Sequence, residues 1–515
     1  MSPAEPELGV VAAGHPVSAR AGADALADGG TAVDAALGAM FASFVCEPLL
    51  TGIGAGGYML VVEPGAAPTL LDFFVGAPGR GADPQQRSAL IPVQVSFGDA
   101  IQVFNVGAAS VGTYGMAAGV CQAAQRFGRI PLAQLVAPAA QLARDGVKLN
   151  AQQAYIVEIL GGIVTSTPEC TALFAGDGQL LHAGQRLRQP ELADTLERLG
   201  AEGAEPFYRG DIAERVSDWV LERGGLLTRA DLAAYQVVDR PPIHVGYRGR
   251  DVFTNPPPSA GGILIARALA ALGATAGPPS VKQVIEVMEQ TQQLRTPEFL
   301  EGLADAEFVQ RFLSGSAAVD AESASPPASP RGGRLGSTTH IAVLDRDGWA
   351  CSVTCSAGSA SGVVVPGTGI HLNNMLGEQD LNPLGFHRHP PGRRLPSMMS
   401  PTVVLRDGVA ELAVGSAGSN RIRSAILQTI IRSIDDGLRA QAAVDAPRVH
   451  FEDGVVYTEP GVDTEGLRGE RELARFRSRN LFFGGVQAVA READGSFSGG
   501  GDPRRGGASI VVPVP

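Results

Sequence analysis

The spacing of apolar residues changes character along the chain. From Ala21 to Phe44 the sequence is Ala-rich and its apolar positions recur at helical spacing; Gly56–Pro64 then reads as a β-run closed by a turn. Residues from about 115 to 235 are dominated by helical patterns punctuated by Gly and Pro, as in FGRIPLAQLVAPAAQLARDG and YRGDIAERVSDWVLERGGLLTRADLAAY. The stretch RPPIHVGYRGRDVFTNPPPSAGG predicts two strands, a proline-rich turn and a helix from Ile263. Residues 314–336, SGSAAVDAESASPPASPRGGRLG, carry almost no apolar bulk and predict a flexible loop. No internal repeat of useful period is present.

After that loop the pattern becomes β. TTHIAVLD and WACSVTCS flank Arg346-Asp347-Gly348, a three-residue hairpin connection with glycine in the left-handed position. A turn centred on Asp347 pairs Asp345 with Trp349 and, carried outward, sets Thr338 opposite Ser356. Further on, AELAVGSAGSNRIRSAILQTIIRSIDDG predicts a strand, a Gly/Ser turn and a helix that starts near Asn420 and is closed by Gly437, with apolar Ile422, Ile426, Ile430 and Ile434. Such a turn aims free N–H groups outward at a positive helix end, which suits an oxyanion.

Composition narrows the function classes. A net charge of −12 over 515 residues argues against nucleic acid or an anionic membrane as partner. Five widely spaced cysteines make no disulfide framework, and Cys351 and Cys355 have no His at zinc spacing; buried free thiols are expected. The N-terminus lacks a basic segment followed by a long apolar one, so no signal peptide and a cytoplasmic location are expected. GAMFASFVCEPLL is too short to span a bilayer. Gly52, Gly54 and Gly57 spell GxGxxG, but with helix before and strand after, the reverse of a dinucleotide fingerprint; a packing turn is expected. His387 and His389 have no nearby acid or Cys at ligand spacing and predict a surface loop, with no metal.

A polar TTH opening a core-type strand raises a chemical possibility. Threonine is a poor nucleophile without a base, but an N-terminal threonine carries its own α-amine. Thr338 would own one if the Ser337–Thr338 bond were cut, and a loose loop followed at once by a buried strand is the arrangement self-cleavage requires.

Collinear motifs support that reading. GGTAVDAALGAMF, LTGIGAGGYML, LARDG, FYRGDIAE, GGLLTRADLAAY, YRGRDVFTNPPPSAGG, STTHIAVLDRDG, GTGIHLNN, SMMSPTVV, GSAGSNRI and DPRRGGAS run along almost the whole length. With them the chain resembles the γ-glutamyltranspeptidase family of N-terminal nucleophile hydrolases. The resemblance implies an α+β fold, a four-layer αββα sandwich with a helix-rich portion in the large chain, and no cofactor. It implies self-cleavage into a large chain, 1–337, and a small chain, 338–515, held together as a heterodimer. Thr338 matches the nucleophile, Ser356 the hydroxyl that supports it, and Gly418 and Ser419 the oxyanion hole. The second of that pair is usually glycine, but a main-chain donor does not demand it. Turnover would pass through an acyl-enzyme, with a small-molecule acyl donor and with water or an amine as acceptor.

Departures from the family's pattern fall around the substrate. The arginine that grips a glutamyl α-carboxylate falls at Phe74, and the serine pair becomes Ser397–Met398. Gly358 stands where an asparagine is usual, and Met375 where a polar amide often is. Glu378 is the candidate for the acid that binds an α-amino group, and Arg394, with its neighbour Arg393, for a replacement carboxylate grip. His340 is expected as either a packed histidine or a group tuning the amine, and Arg421 as either an ion-pair member or a substrate contact. The pattern implies an acyl substrate other than ordinary glutathione. Alternatives on the same scaffold are a glutaryl/cephalosporin-type acylase and a C–C bond hydrolase of alkyl-proline antibiotic biosynthesis. An alternative of another class is an unprocessed, non-catalytic binding protein.

Overall fold

The computed structural model describes residues 6–96, 101–314, 337–382, 385–467 and 471–514. Two antiparallel sheets stack face to face. The strands, in chain order, are β1 (Glu7–Ala13), β2 (Gly56–Val62), β3 (Thr69–Phe73), β4 (Val238–Arg240), β5 (Ile243–Tyr247), β6 (Arg250–Thr254), β7 (Thr339–Asp345), β8 (Ala350–Ser356), β9 (Thr402–Arg406), β10 (Val409–Ala417), β11 (Gly485–Arg491), β12 (Phe497–Gly501) and β13 (Ala508–Pro513). The first sheet has the order β4-β3-β2-β8-β7-β1-β13, the second β5-β6-β9-β10-β11-β12. Helices α1 (Pro16–Ala27) and α2 (Ala32–Cys46) cover the first sheet; α3 (Ala260–Gly273) and α4 (Arg421–Ile434) cover the second. This is the four-layer αββα sandwich. The helix-rich region, including Met116–Phe127, Leu132–Asp145, Pro190–Glu202 and Asp211–Leu221, adds to the α2 side.

Period-2 alternation explains how β7 serves two cores. Ile341 and Val343 pack toward the helices, Ala342 and Leu344 toward the second sheet. A strand covered on both faces needs a nearly unbroken apolar run, which IAVL supplies, and each such aliphatic burial is worth about 1.5–3 kcal/mol. On β8 the same alternation sends Cys351, Val353 and Cys355 to the helix side. All five cysteines are free; four are buried and Cys121 is partly so.

The β7–β8 register follows the turn centred on Asp347: Leu344 pairs with Ala350 and Thr339 with Cys355, and Gly348 takes φ +93° in the connection. Several other expectations need correction. The Ala21–Phe44 pattern is two helices, because Gly29 (φ +87°) breaks the first and Thr31 opens the second through a reciprocal cap with Asp34. Glycines then let them pack closely: a Cβ on Gly22 would lie 2.8 Å from the Ala35 carbonyl oxygen. The sequence reading began with a helix and missed β1, whose ELGVVAA forms an inner strand beside β7 and β13. The helix expected from Ile263 begins three residues earlier, at Ala260, behind the Ser259 cap. The last predicted helix ends at Ile434, and Gly437, at φ +66°, closes the turn behind it. Of the loop predicted over 314–336, Ser314 ends a helix and 315–336 lies outside the described residues.

The first sheet draws β1–β4 from residues before 338 and β7, β8 and β13 from those after it. Any scission at 337–338 would therefore leave both pieces hydrogen-bonded within one sheet.

Candidate active site

Thr338 lies immediately before β7, buried to 5% exposure. Its parity places it on the face turned to the second sheet, while Thr339 faces the helices. The Thr338 hydroxyl donates to Ser356 Oγ at 3.3 Å, a long bond, and Ser356 in turn donates to the Ser337 carbonyl oxygen at 2.7 Å. Gly358 N donates to the same Ser356 oxygen at 3.1 Å. The Thr338 hydroxyl, the Ser356 hydroxyl and the Ser337 carbonyl oxygen thus form one line.

A cavity of about 40 Å³ opens onto this line, and Ser337, Thr338 and Ser356 form one side of it. Phe74, Met375, Ser397 and Met398 contribute to the walls, as do Gly358, Glu378 and Ser419. Five separate stretches of the sequence, around 74, 337–358, 375–378, 397–398 and 419, therefore converge here. Phe74 follows β3, is 1% exposed, and stacks on Tyr58 with ring centroids 5.2 Å apart. Gly358 takes φ +68°, and a Cβ there would meet Asn374 Oδ1 at 1.9 Å. The space of an added side chain at 358 is thus already held by the Asn374 amide, which accepts from Ser359 N at 2.8 Å.

Glu378 is buried and accepts from the Ser359 hydroxyl at 3.2 Å. Burial, reinforced by neighbouring Asp380, pushes its carboxyl up to about 7, against the pull of Ser359 and Asn374. The Ser419 hydroxyl donates to Asp380. At the end of β10, Gly418 has φ +123° and Ser419 φ +52°. The latter is a left-handed conformation that explains why glycine is the usual residue there. Neither N–H has an acceptor among the described residues, and α4 begins two residues later. Free donors at a helix start are suited to an oxyanion.

Arg394 is placed elsewhere. Its guanidinium bonds Asp72 Oδ1 at 3.2 Å and the Gln236 carbonyl, and lies 4.3 Å above the Tyr235 ring. It does not line the cavity. Its charge serves the buried Asp72, which also holds Arg240 at 2.7 Å. His340 is fully buried, bonded through Nδ1 to Thr354 Oγ1 at 2.8 Å, and burial pushes it down to about 3, so it packs as a neutral ring. Arg421 is buried beside Glu452 at 3.6 Å and Phe482 at 4.9 Å, an ion pair behind the turn. Among the described residues no group of three His, Cys, Asp or Glu side chains gathers in a way that would hold a metal ion. No helix among them is long and apolar enough to cross a membrane.

Sequence reasoning missed Asp380, Leu381, Met399 and Ile422, which also line the cavity. Only the Asp380 carboxylate, two residues from Glu378, carried a legible signal. It also missed Glu47, buried on the opposite face of β7, whose two carboxylate oxygens each lie 3.2 Å from the Thr339 hydroxyl. Burial pushes Glu47 up to about 7. A lone charge within GAMFASFVCEPLL was its visible mark.

Comparison with known proteins places this geometry. The family model for gamma-glutamyltranspeptidase matches residues 18–512. The glutathione hydrolase proenzyme of Escherichia coli (strain K12) is 32% identical over 98% of this chain and 91% of its own length. The Acylase ACY 1 proenzyme of Pseudomonas sp. (strain SE83) is 31% identical over 99% and 94%. The solved structure of a cephalosporin acylase from Bacillus halodurans superposes with a TM-score of 0.80 at 26% identity, over 98% of this chain and 96% of that one. The fold is that of the N-terminal nucleophile hydrolases, and the relatives are hydrolases and acyltransferases. This chain belongs to the gamma-glutamyltranspeptidase family of enzymes.

Proposed function

We propose that the chain is a precursor that cuts its own Ser337–Thr338 bond and then works as an N-terminal-threonine amide hydrolase or acyltransferase. The observation that carries this reading is the line from Thr338 Oγ1 through Ser356 Oγ to the Ser337 carbonyl oxygen. Two of the relatives bear the name proenzyme, which agrees with it. In the first stage Thr338 Oγ attacks the Ser337 carbonyl carbon, its proton passes to Ser356 Oγ, and Ser356 gives its own proton to the carbonyl oxygen. Collapse of the tetrahedral carbon returns a proton through Ser356 to the Thr338 nitrogen, which leaves. The ester so formed is hydrolysed by water to a Ser337 carboxylate and a Thr338 with free hydroxyl and α-amine. The amine then serves as base: it takes the Oγ proton as Thr338 attacks a substrate acyl carbon and returns it to the leaving amine. The N–H groups of Gly418 and Ser419 receive the oxyanion, and water or a second amine releases the acyl group.

The walls of the cavity support an acyl head other than glutamyl. Phe74, Met375, Leu381, Met398 and Ile422 are apolar, and the ionisable side chains that line it with them are Glu378 and Asp380. An α-carboxylate would meet two carboxyl groups and no guanidinium there. Losing a bidentate arginine contact changes preference by orders of magnitude.

Intact mass of the purified protein tests the first stage. Wild type should give fragments of roughly 35 and 18 kDa from the 53.1 kDa chain, and Thr338→Ala should stay whole. Fully active enzyme that remains one unbroken chain would overturn the mechanism. A γ-glutamyl-anilide tests the second stage, since turnover as efficient as that of a glutathione hydrolase would remove the altered-head reading.

A further inference from the structure

The cavity at Thr338 holds about 40 Å³, yet a much larger cleft of about 760 Å³ lies along the same segment of chain. Residues 393–399 build part of both: Arg393, Arg394 and Pro396 line the cleft, and Ser397, Met398 and Met399 the cavity. The cleft's size is typical of small-molecule sites, whereas the cavity's is not.

Its charge is opposite in sign to that of the chain as a whole. In a chain of net charge −12, the cleft collects Arg240, Arg388, Arg393 and Arg394 with a single carboxylate, Glu301. Two of the four arginines are committed: Arg240 and Arg394 grip the buried Asp72 at 2.7 and 3.2 Å. Arg388 and Arg393 have no side-chain hydrogen bond or ion pair among the described residues. Even with Asp72 and Glu301 both counted against the four guanidiniums, two positive charges remain uncompensated among the described residues. Both free guanidiniums lie on the 385–396 segment, which is tied at its far end by Ala77 N donating to the Arg393 carbonyl oxygen at 2.8 Å. An apolar wall of Pro257, Pro258, Leu300 and Leu303 lines the cleft with them.

Surface arginines usually find carboxylates, and an acidic protein offers many. Two that line one concave site with an apolar wall, without a carboxylate partner among the described residues, form a receptor for anions. We propose that this cleft binds a small molecule carrying at least two anionic groups, phosphoryl or carboxyl, through Arg388 and Arg393, with its apolar part against Pro257, Pro258 and Leu300. The site is separate from the nucleophile, so it stands whether or not Thr338 performs the proposed cleavage.

Calorimetric titration with pyrophosphate and with citrate tests it, on wild type and on Thr338→Ala at low ionic strength. One of the two probes should bind once per chain in both proteins, and the tighter of them tells phosphoryl from carboxyl recognition. Arg388→Gln/Arg393→Gln, which removes exposed groups and should melt as wild type does, is expected to weaken that binding by roughly tenfold or more. Raising salt to about 0.5 M should weaken it as well, because the cleft is open to screening. Absence of binding by both probes, or binding undiminished in the double variant, would overturn the proposal. Should the double variant melt early, Arg393→Lys supplies the check: a retained charge without the planar fork should keep part of the affinity, and full retention together with salt insensitivity counts against the site.

Discussion

Replacing Ser356 by alanine removes one oxygen from the centre of the proposed chemistry. That oxygen accepts from Thr338 Oγ1 at 3.3 Å and from Gly358 N at 3.1 Å, and it donates its own proton to the Ser337 carbonyl oxygen at 2.7 Å. The last contact matters most for rate. As the carbonyl becomes tetrahedral its oxygen gains negative charge, and the Ser356 hydroxyl is already in place to meet it. Loss of one such donor costs about 10²–10³ in rate, or roughly 3–4 kcal/mol of barrier. Loss of the acceptor for the Thr338 proton adds less, because a hydroxyl is a weak base and the bond is long. We therefore expect Ser356→Ala to mature about 10²–10³ times more slowly, and Ser356→Thr, which restores the hydroxyl, to stay much nearer wild type. The assay is a time course of fragment appearance on a denaturing gel, started from freshly purified precursor. The lost bond to Gly358 N also lowers stability by about 1 kcal/mol, so melting temperature is followed in parallel. Ser356→Ala maturing at the wild-type rate would refute the relay.

Other consequences follow from the same wall of the cavity. A Glu378 carboxyl raised from 4.5 to about 7 stabilises the fold below the lower value and loses that contribution as pH climbs to the higher. Glu378→Gln should therefore gain relative to wild type between pH 5 and pH 8, by up to about 3 kcal/mol; a melting difference that stays constant with pH would contradict this. Gly358→Ala places a Cβ 1.9 Å from Asn374 Oδ1 at φ +68°. It should cost about 2 kcal/mol or more, read as a lowered melting temperature, and wild-type melting would show that Asn374 yields freely. Phe74→Ala removes a ring stacked at 5.2 Å on Tyr58 and should destabilise by about 3–5 kcal/mol while enlarging the cavity proposed to take the acyl group. The check is thermal melting alongside a screen of bulkier acyl anilides.

Much of the site's local geometry was legible because it depends on neighbours in the chain. The turn at Arg346-Asp347-Gly348 sets the register, and the register carries Thr338 to Ser356 without any knowledge of the remaining strands. The break before Gly418 and the start of the next helix were visible for the same reason. Boundaries slipped where a cap decided them: Ser259 starts its helix ahead of the first bulky residue, and Thr31 restarts one that the alanine pattern ran through. ELGVVAA was missed as a strand because seven residues interrupted by Gly9 carry little pattern even between Pro6 and Gly14, and its partners lie more than 300 residues away.

Arg394 shows the opposite limit. Its position beside Ser397 offered it as a carboxylate grip, but nothing local revealed that Asp72, from β3, would be buried within its reach. A buried carboxylate must be compensated, and that demand outweighs service to a substrate. The amino-acid sequence by itself determined the hairpin that aligns Thr338 with Ser356, through turn chemistry, a short-range property. The fold class and the apolar Phe74 in place of an arginine were legible only through motifs shared with the family. Only the tertiary structure decided which carboxyl groups share the cavity, which arginines are spent on Asp72, and which stand uncommitted in the neighbouring cleft. Those outcomes depend on where charges from distant segments are buried together, and desolvation acts on position in space rather than on order along the chain.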